Sequence, residues 1–444
     1  MIDIIAFITG ILIAIIGFGI SIALHECGHL YFAKRFNVLT TQYMVGFGPT
    51  VWSTKRGETE YGIKAIPLGG YVQMVGMYPP APGEQAQAKR TGFISQLIED
   101  GRQASAESIP PGQEHRAFYR IPVWQRLLIM FGGPFMNFVV AIVCFMIVAS
   151  GFGVHQPSLT LETVYRCVVA AGEESTADPN NCETPAPAYA AGLRPGDTII
   201  SVNGEQLGSW EQLQGIMRGS ADQELQLVYE RAGTEHATSL TPTPTERYVY
   251  DDLTGRQKMD DNGQPIIETV GFAGFGSTFE RVHESPLYAG EMFWQQSRGV
   301  VNVVVTMPQR VVEMFQAGFL GAERDPNGPV SVVGVGVITG QIAQQHEVSI
   351  TDRAATMVGM VAAVNVALGI MNLIPLPPLD GGHIVSALWD GMRKWWARIR
   401  NKPEPAPFDT AKLLPLTLVI AGLLIGVGAL FIFTDLVNPI QLFE

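Results

Sequence analysis

The sequence predicts a polytopic α-helical membrane protein with about four transmembrane helices, a β-hairpin region and an inserted β-rich α+β domain outside the cytoplasm. Only 16% of the 444 residues are charged and 47% are hydrophobic, whereas soluble domains carry about 25% charged residues. Apolar runs long enough to cross a bilayer, about 20 residues, occur at 4–24, 127–150, 355–376 and 413–435. The chain therefore combines lipid-embedded helices with water-facing parts.

The charged residues predict how these spans are oriented. Lysine and arginine collect in cytoplasmic loops, and here they flank the apolar runs. Residues 37–126 and 385–412 are therefore predicted to be cytoplasmic, and 151–353, where acidic residues outnumber basic ones, to face outward. The net charge of −12 argues against nucleic acid as a partner.

The segments follow in chain order from these runs. The first run lacks the basic start of a cleavable signal peptide and is too long for one, so it is predicted to remain as an anchor. The full prediction is a first span (1–36), a cytoplasmic-side β-hairpin region and loop (37–126), a second span (127–150), an extracytoplasmic region (151–286) with its β-rich domain at about 158–245, an amphipathic helix and connector (287–353), a third span (354–384), a basic cytoplasmic loop (385–412) and a fourth span (413–436).

The water-facing segments carry their own structural signals. Residues 37–78 alternate apolar and small residues around a Pro-Leu-Gly-Gly turn, which predicts a β-hairpin or small sheet. Residues 188–218 predict a short helix, a Pro-Gly-Asp turn, a strand, an Asn-Gly turn and a second helix. Apolar positions at helical spacing in 287–317 predict an amphipathic surface helix that Pro308 ends or kinks.

The segment HECGH at the end of the first span carries the metal-ligand pattern H-E-x-x-H. On a helix, His25 and His29 lie one turn apart on the same face, so both imidazoles can reach one metal ion. Glu26 is then placed to accept a proton from a water molecule at that metal. Ionisable groups at bilayer depth cost about 3 kcal/mol or more each, and a bound dication would offset this cost. The alternative is a helix end at the cytoplasmic surface, where these groups meet water, since basic residues follow closely.

The third ligand of a metal site is predicted in MNLIPLPPLDGGH, residues 371–383. Catalytic zinc takes three protein ligands. Asp380 lies in a turn after three prolines that are predicted to break the helix, at the predicted cytoplasmic end of the third span and so on the same side as HECGH. Non-helical backbone at membrane depth persists only when it is buried in protein or lines a cavity. An interfacial turn is the alternative for Asp380, and His383 is a rival ligand that we rank below it.

Two amide side chains lie within apolar spans. A buried amide needs hydrogen-bond partners, so each should contact protein or substrate. For Asn137 the favoured interpretation is a clamp between helices. For Asn372, which shortly precedes Asp380, the more specific hypothesis is a hydrogen bond to the substrate backbone.

The four cysteines are divided between the apolar runs and the outward segment. Cys27 and Cys144 lie in apolar runs, and Cys167 and Cys182 lie in the outward segment. An oxidising exterior permits a disulfide between Cys167 and Cys182, and two free thiols are the alternative.

Six motifs in a fixed order identify a family. They are HECGH, GFGP, IPLGGYVQM, GGPFMN, a single AGLRPGD and NLIPLPPLDGGH. The sequence resembles the site-2 protease family of intramembrane zinc metalloproteases, specifically the bacterial sigma-E-regulator type. The resemblance covers most of the chain, and the ordered set is far more specific than H-E-x-x-H alone.

The resemblance implies a complete site. It implies one Zn²⁺ ion on His25, His29 and Asp380, with Glu26 as the general base. It implies that the β-hairpin is membrane-associated and pairs with substrate, which Asn372 also holds; the implied hairpin contacts are Pro67, Leu68, Gly69, Gly70 and Tyr71. The chain departs from the family pattern at Ala367, where a second asparagine is expected and Asn365 is two residues away.

The resemblance also implies the nature of the outward domain. It implies a single extracytoplasmic PDZ domain that binds peptide C-termini or ectodomain remnants. The implied ligand loop consists of Gly192, Leu193, Arg194, Pro195, Gly196 and Asp197.

The implied function is intramembrane cleavage of single-span membrane proteins, such as anti-sigma factors, after another protease has removed their outer part. The implied partners are these substrates and the lipid bilayer, and the implied location is the cell inner (cytoplasmic) membrane. Two other classes stay open at this point. A membrane-tethered PDZ adaptor without proteolytic activity would bind no zinc, and a transporter commonly shows repeated halves, which we do not find.

Overall fold

A computed structural model describes residues 2–80, 92–168, 184–250, 257–260, 264–324, 328–345 and 348–440. The chain divides into two compact units, of which unit 1 is Met1–Phe152 with Ser285–Glu444 and unit 2 is Gly153–Glu284. Unit 2 is therefore an insertion between the second and third predicted spans.

Helices dominate unit 1 and strands dominate unit 2. Within the described residues the helices are α1 (Ile2–Arg35), α2 (Phe93–Glu107), α3 (Val123–Met146), α4 (Pro187–Ala190), α5 (Trp210–Gly219), α6 (Tyr288–Val305), α7 (Met307–Phe319), α8 (Val332–Gln344), α9 (Ile350–Asn372), α10 (Asp380–Ile399) and α11 (Leu414–Val437). The strands are β1 (Thr40–Arg56), β2 (Thr59–Met74), β3 (Val154–Val164), β4 (Thr198–Val202), β5 (Glu205–Gln206), β6 (Leu225–Arg231), β7 (Thr234–Leu240), β8 (Thr243–Tyr248), β9 (Ile267–Phe272) and β10 (Phe275–Val282).

Four helical segments are long and apolar enough to cross a membrane, as judged by length and composition. They are Asp3–Arg35, Val123–Phe152, Ile350–Asn372 and Thr410–Val437. The second segment includes a short π-helical continuation of α3. Each segment overlaps one of the apolar runs in the sequence.

The core of unit 1 forms where α1 packs against α3 and α8, and where α3 packs against α9. Small residues bring α1 and α3 close together, because a Cβ on Gly28 would collide with the carbonyl oxygen of Gly132. Close helix approach through small residues is typical of association within membranes. The contact fixes the end of α1, where HECGH lies, against the first half of α3.

The third predicted span, 354–384, contains the helix break that its prolines predict. α9 ends at Asn372 and α10 begins anew at Asp380, whereas the sequence prediction placed Asp380 in a turn. The prolines between them lack the N–H that a continuous helix needs. Asp380 consequently stands in the first turn of its own helix, where the helix dipole favours a carboxylate.

A buried ion pair holds α10 against α3. Arg126 Nη2 lies 2.5 Å from Asp390 Oδ2, and Asp390 is fully buried. The other oxygen of Asp390 accepts a hydrogen bond from the N–H of Phe408. Removing one partner of such a pair leaves an uncompensated buried charge, so the pair fixes where α10 runs relative to α3.

The segment 287–317, predicted as one amphipathic helix with a break or kink at Pro308, forms two helices. α6 ends at Val305 and α7 begins at Met307, with Thr306 between them. Pro308 occupies the first turn of α7, where its missing N–H costs little. α6 packs its inner face on α3 and α9.

The β-hairpin region is a folded sheet rather than a simple ribbon. β1 and β2 pair antiparallel with several register shifts, and residues 42–45 pair both with 60–63 and with 70–73. Among the described pairings, residues 70–74 have neighbours on one side only. The outer edge of β2 is therefore free to accept another strand.

Ion pairs attach the turn of this hairpin to Arg116 and to the end of α1. Glu58 accepts hydrogen bonds from Arg116 and from Lys34, which ends α1, at 2.7–2.8 Å. The Arg116 hydrogen bonds, aided by Lys34 and opposed by partial burial, lower the pKa of Glu58 to about 2. Tyr43 of β1 also donates a hydrogen bond to the carbonyl oxygen of Ala23, at 2.6 Å. The hairpin is thus held along the last third of α1.

Unit 2 is built around a six-stranded sheet of order β10-β3-β4-β6-β7, with β5 paired to β4, and a separate β8–β9 ribbon. Its core consists of apolar side chains from the sheet and from α5, including Leu161, Ile199, Leu213 and Leu227. The sequence prediction ended this domain at about 245, but β10 pairs with β3 and completes the sheet. The short strands after 245 lie in a polar, turn-rich stretch that gave little strand signal.

The segment AGLRPGD forms the turn that enters β4. The carboxylate of Asp197 is 1% exposed and accepts hydrogen bonds from the Arg231 guanidinium and from the N–H of Arg194, all at 2.7 Å. These bonds tie the turn to β6.

The Asp197–Arg231 pair is expected to make the stability of unit 2 depend on pH. Burial raises the pKa of the Asp197 carboxyl, but the bonds from Arg231 and Arg194 outweigh burial and hold the pKa below its ordinary value of 3.8. A carboxyl whose pKa is lowered by folding contributes stability that is complete above the unfolded value and is lost as pH falls through the folded value. Hydrogen-exchange protection of β4 in the full chain should therefore decrease below pH 3.8. Asp197→Asn should show a weaker decrease, and an equal decrease in both proteins would contradict this role.

Cys167 of unit 2 is disulfide-bonded, while Cys27 and Cys144 are free. Its predicted partner, Cys182, lies outside the described residues. The pairing with Cys182 therefore stays a prediction.

Candidate metal centre and active site

The two histidines of HECGH point to one spot near the end of α1. His25 and His29 are 8% and 5% exposed, and their Nε2 atoms lie 3.2 Å apart. The helix spacing of one turn produces this convergence, since residues four apart share a face.

Asp380 completes a triangle with these histidines. Its Oδ2 lies 3.3 Å from Nε2 of His25 and 3.3 Å from Nε2 of His29. These separations are long for charge-assisted hydrogen bonds, which are about 2.7–2.9 Å. Within the described part of the chain, Oδ2 is buried and makes no hydrogen bond. This buried carboxylate oxygen lies between two imidazole nitrogens and has no hydrogen-bond partner, which indicates a cation-binding site.

The triangle has the dimensions of a zinc site. Bonds of about 2.0–2.1 Å from a tetrahedral zinc ion place neighbouring ligand atoms about 3.3 Å apart, which matches all three edges. Two imidazoles and one carboxylate are also ligand types that catalytic zinc uses. Among the described residues, these three side chains form the group that could hold a metal ion, and the rival His383 is not part of it.

The first half of α3 supports the two histidines. Nδ1 of His29 donates a hydrogen bond to the carbonyl oxygen of Ile129, at 2.7 Å. Nδ1 of His25 lies 3.1 Å from Nδ2 of Asn137. A Cβ on Gly133 would lie 2.7 Å from ring atoms of His25. Asn137, predicted from the sequence to be a helix clamp, instead contacts the proposed ligand His25.

A cavity of about 590 Å³ opens beside this site. Glu26, Asn372 and His383 line it together with the three candidate ligands. Within the described residues, the amide of Asn372 and the carboxylate of Glu26 make no hydrogen bond to protein. Both groups are therefore available to a molecule in the cavity.

The β2 edge forms one wall of the cavity. Gly69, Gly70 and Tyr71 line it, and Pro67 does not; the side chain of Leu68 lies outside the described atoms. A Cβ on Gly70 would lie 2.8 Å from Cγ of Glu26. The backbone of β2 consequently passes directly over Glu26.

Asn365, two residues from the position where a family asparagine is expected, does not reach the cavity. It is fully buried, and its Nδ2 donates to Ser21 Oγ and to the carbonyl oxygen of Val361, each at 2.8 Å. The cavity residues of α9 are Leu368 and Asn372. Asn365 is thus a clamp between α9 and α1.

Unit 2 carries a cleft of about 310 Å³ between α5 and the strands β8–β10. Trp210 and Met217 form the helical wall, and 270–275 form the facing strand and turn. None of the six residues at 192–197 lines this cleft, and their contacts are those of the turn before β4. The motif VGFAGF at 270–275 was the available sequence signal, but it lay in a stretch interpreted as polar and turn-rich.

Comparison with known proteins gives a consistent picture. The model of peptidase family M50 matches residues 13–403. The zinc metalloprotease Rip1 of Mycobacterium tuberculosis is 32% identical over 450 residues, which cover 99% of this chain and 100% of Rip1. The metalloprotease MmpA of Caulobacter vibrioides is 26% identical over 408 residues, which cover 88% of this chain and 87% of MmpA. The similarity spans both units.

Proposed function

Because this chain belongs to peptidase family M50, the site-2 protease family, and is an intramembrane zinc metalloprotease, we propose that it cleaves single-span membrane proteins whose outer part another protease has removed. The single observation that carries the proposal is the triangle of His25, His29 and Asp380 beside a cavity that also holds Glu26. A PDZ adaptor without activity would not need these ligand atoms at zinc spacing.

The proposed site assigns a role to each cavity residue. His25, His29 and Asp380 hold one zinc ion, which when bound supplies Lewis-acid polarisation of the substrate carbonyl and activation of water. Glu26 accepts a proton from the attacking water and later donates it to the leaving amine. Asn372 donates a hydrogen bond to the substrate backbone.

Substrate binding at the β2 edge follows from the energetics of a helix in lipid. A transmembrane helix must unwind locally before its carbonyls can be attacked, and each unpaired backbone group in lipid costs several kcal/mol. The free edge at 70–74 offers replacement backbone bonds by strand addition. Because this edge passes over Glu26, an added strand would lie beside the proposed zinc site.

The proposed orientation follows from the charges. The basic flanks at 34–35 and 393–402 support a zinc site at the cytoplasmic side of four spans in the cell inner membrane, with unit 2 outside. Unit 2 acts as a single PDZ domain, with peptide ends or ectodomain remnants bound in the cleft between α5 and 270–275. Such a domain can exclude substrates with bulky outer parts. Release of a transcription regulator, as from an anti-sigma factor, is the downstream consequence of cleavage.

The function is tested with one model substrate in two lengths. The full chain in lipid vesicles should cleave a single-span protein with a trimmed outer part, and should cleave the same protein with an intact folded ectodomain much more slowly. Glu26→Gln serves as the inactive control. Equal rates for the two lengths would refute the size filter, and no cleavage of either by zinc-loaded protein would refute the substrate class.

The close packing of Gly70 on Glu26 predicts the effect of adding one methyl group. In Gly70→Ala the new Cβ would lie 2.8 Å from Cγ of Glu26 and 3.0 Å from the carbonyl oxygen of Met44, so strand or carboxylate must move. Misplacement of a catalytic group by about 1 Å can cost about 100-fold in rate, and we expect a loss of that order with zinc content unchanged. The matched control is Gly19→Ala on α1, where a Cβ meets no atom within 4 Å. A Gly70→Ala rate equal to that of the control would show that β2 does not constrain Glu26.

A further inference from the structure

We infer that Asn137 is a positioning residue for the zinc site. Its amide oxygen accepts a hydrogen bond from Nδ1–H of His25 and so keeps the lone pair of Nε2 directed at the metal. The inference rests on the zinc site proposed above and adds to it a residue on α3 that is not itself a ligand.

Asn137 resembles the helix clamp Asn365 in burial and in having a buried Oδ1 without a hydrogen-bond partner among the described residues, but it differs in contacting a proposed zinc ligand. Its side chain is 0% exposed, and its amide lies 3.1 Å from Nδ1 of His25. Within the described residues, its Oδ1 is buried and has no hydrogen-bond partner. One end of the amide thus touches a proposed ligand, and the other end is unsatisfied.

The chemistry of imidazole decides which end must face His25. A neutral imidazole carries one proton, and a nitrogen that binds a metal must be the deprotonated one. If Nε2 of His25 is the ligand, Nδ1 carries the proton and needs an acceptor. An amide NH₂ cannot accept, whereas the carbonyl oxygen can.

Rotation of the Asn137 amide by 180° about its terminal torsion supplies this acceptor. The two ends of the amide have nearly the same shape, so the rotation exchanges nitrogen and oxygen, and Nδ2 then takes the buried position of Oδ1. It removes the encounter of two donors at Nδ1. It also brings the unsatisfied oxygen to the atom that requires it.

His29 shows the same arrangement with a backbone partner. Its Nδ1 donates to the carbonyl oxygen of Ile129, at 2.7 Å, and a carbonyl can only accept. The tautomer of His29 is therefore set by α3, and Nε2 is left free for a metal. Both histidines are held from α3, but only the Asn137 contact can be removed by mutation. Outer partners of this kind orient metal-binding histidines and raise their basicity.

Asn365 provides a matched control for a purely structural role. It is also 0% exposed and also contacts α1, through Ser21 Oγ at 2.8 Å. It touches none of the proposed ligands. Loss of Asn365 removes a buried amide between helices and leaves the zinc site unaltered.

The test measures zinc affinity of the full chain in detergent micelles, by competition with a chromophoric chelator. Asn137→Ala and Asn137→Leu, which lack an acceptor, should bind zinc about 10–100-fold more weakly than wild type. Asn137→Asp, which keeps an acceptor oxygen in the same place, should recover most of this loss. Asn365→Ala should bind zinc as wild type does. The visible spectrum of the Co²⁺-substituted proteins should change in Asn137→Ala and Asn137→Leu and stay unchanged in Asn365→Ala.

Three results would overturn the inference. They are wild-type zinc affinity in Asn137→Leu, an equal loss in Asn365→Ala, and an affinity of Asn137→Asp as low as that of Asn137→Leu. The leucine variant keeps the branched shape of asparagine and leaves no cavity, so a fold failure of the alanine variant does not prevent the comparison. Absence of zinc binding by the wild type would instead refute the site itself.

Discussion

Glu26→Gln is expected to lower the rate of peptide cleavage by about 10²- to 10⁴-fold while zinc content stays at the wild-type level. Glutamine keeps the size of the side chain and its place beneath Gly70, but it cannot accept a proton from water or return one to the leaving amine. Glu26 is not one of the three residues whose side chains could hold a metal ion, so zinc should remain bound. The measurement compares cleavage of a single-span substrate in vesicles with zinc content by elemental analysis.

Glu99→Gln is the matched control for this prediction. Glu99 is a half-exposed glutamate on α2 that pairs with Arg102 and does not line the cavity. Its substitution should leave both activity and zinc content unchanged. Cleavage by Glu26→Gln at a rate near that of the control would remove Glu26 from the mechanism.

Asp380→Ala is expected to abolish stable zinc binding and, with it, activity. The substitution leaves two imidazoles where catalytic zinc takes three protein ligands. Loss of a residue that only hydrogen-bonds to a metal ligand costs about 10–100-fold in metal affinity. Loss of a ligand itself should therefore cost more than that. Chelator competition and elemental analysis of the full chain measure the effect, and cleavage assays should show no turnover.

His383→Ala tests whether Asp380 or His383 is the third zinc ligand. His383 lies one turn after Asp380 and lines the same cavity, but its imidazole is outside the ligand triangle. The variant should retain zinc. Zinc loss in His383→Ala together with retention in Asp380→Ala would exchange the two assignments and contradict the geometry described above.

The local part of the candidate site could be predicted from the sequence. The spacing of His25 and His29 depends only on helix periodicity, which needs no knowledge of the rest of the fold. Asp380 required more: it followed from the need for a third ligand and from placing two helix ends on one side of the membrane by their flanking charges. Both arguments use helix spacing and flanking charges, which can be read directly from the sequence.

Contacts between distant helices could not be predicted in the same way. The sequence showed that the Asn137 amide needs a partner, but His25 becomes that partner only because Gly28 and Gly132 let α1 and α3 approach. The same limit applies to Asn365, whose partner is Ser21 rather than the cavity.

The β regions show a different limit. Alternation in 37–78 predicts strands, but the double pairing of 42–45 depends on bends within β1 and β2 that alternation does not encode. In unit 2, β10 completes the sheet by pairing with β3, across more than a hundred intervening residues. Such long-range pairing leaves little local signal, and the domain end predicted at 245 was too early for this reason.

The placement of Asp380 at the start of α10 has a consequence for how the enzyme is made. Ribosomes deliver α1 to the membrane long before α10, because more than three hundred residues separate His29 from Asp380. With the proposed ligand set, a nascent chain that has not reached α10 holds the histidine pair without its third zinc ligand. The proposed zinc site can therefore be completed only after most of the chain has been synthesised.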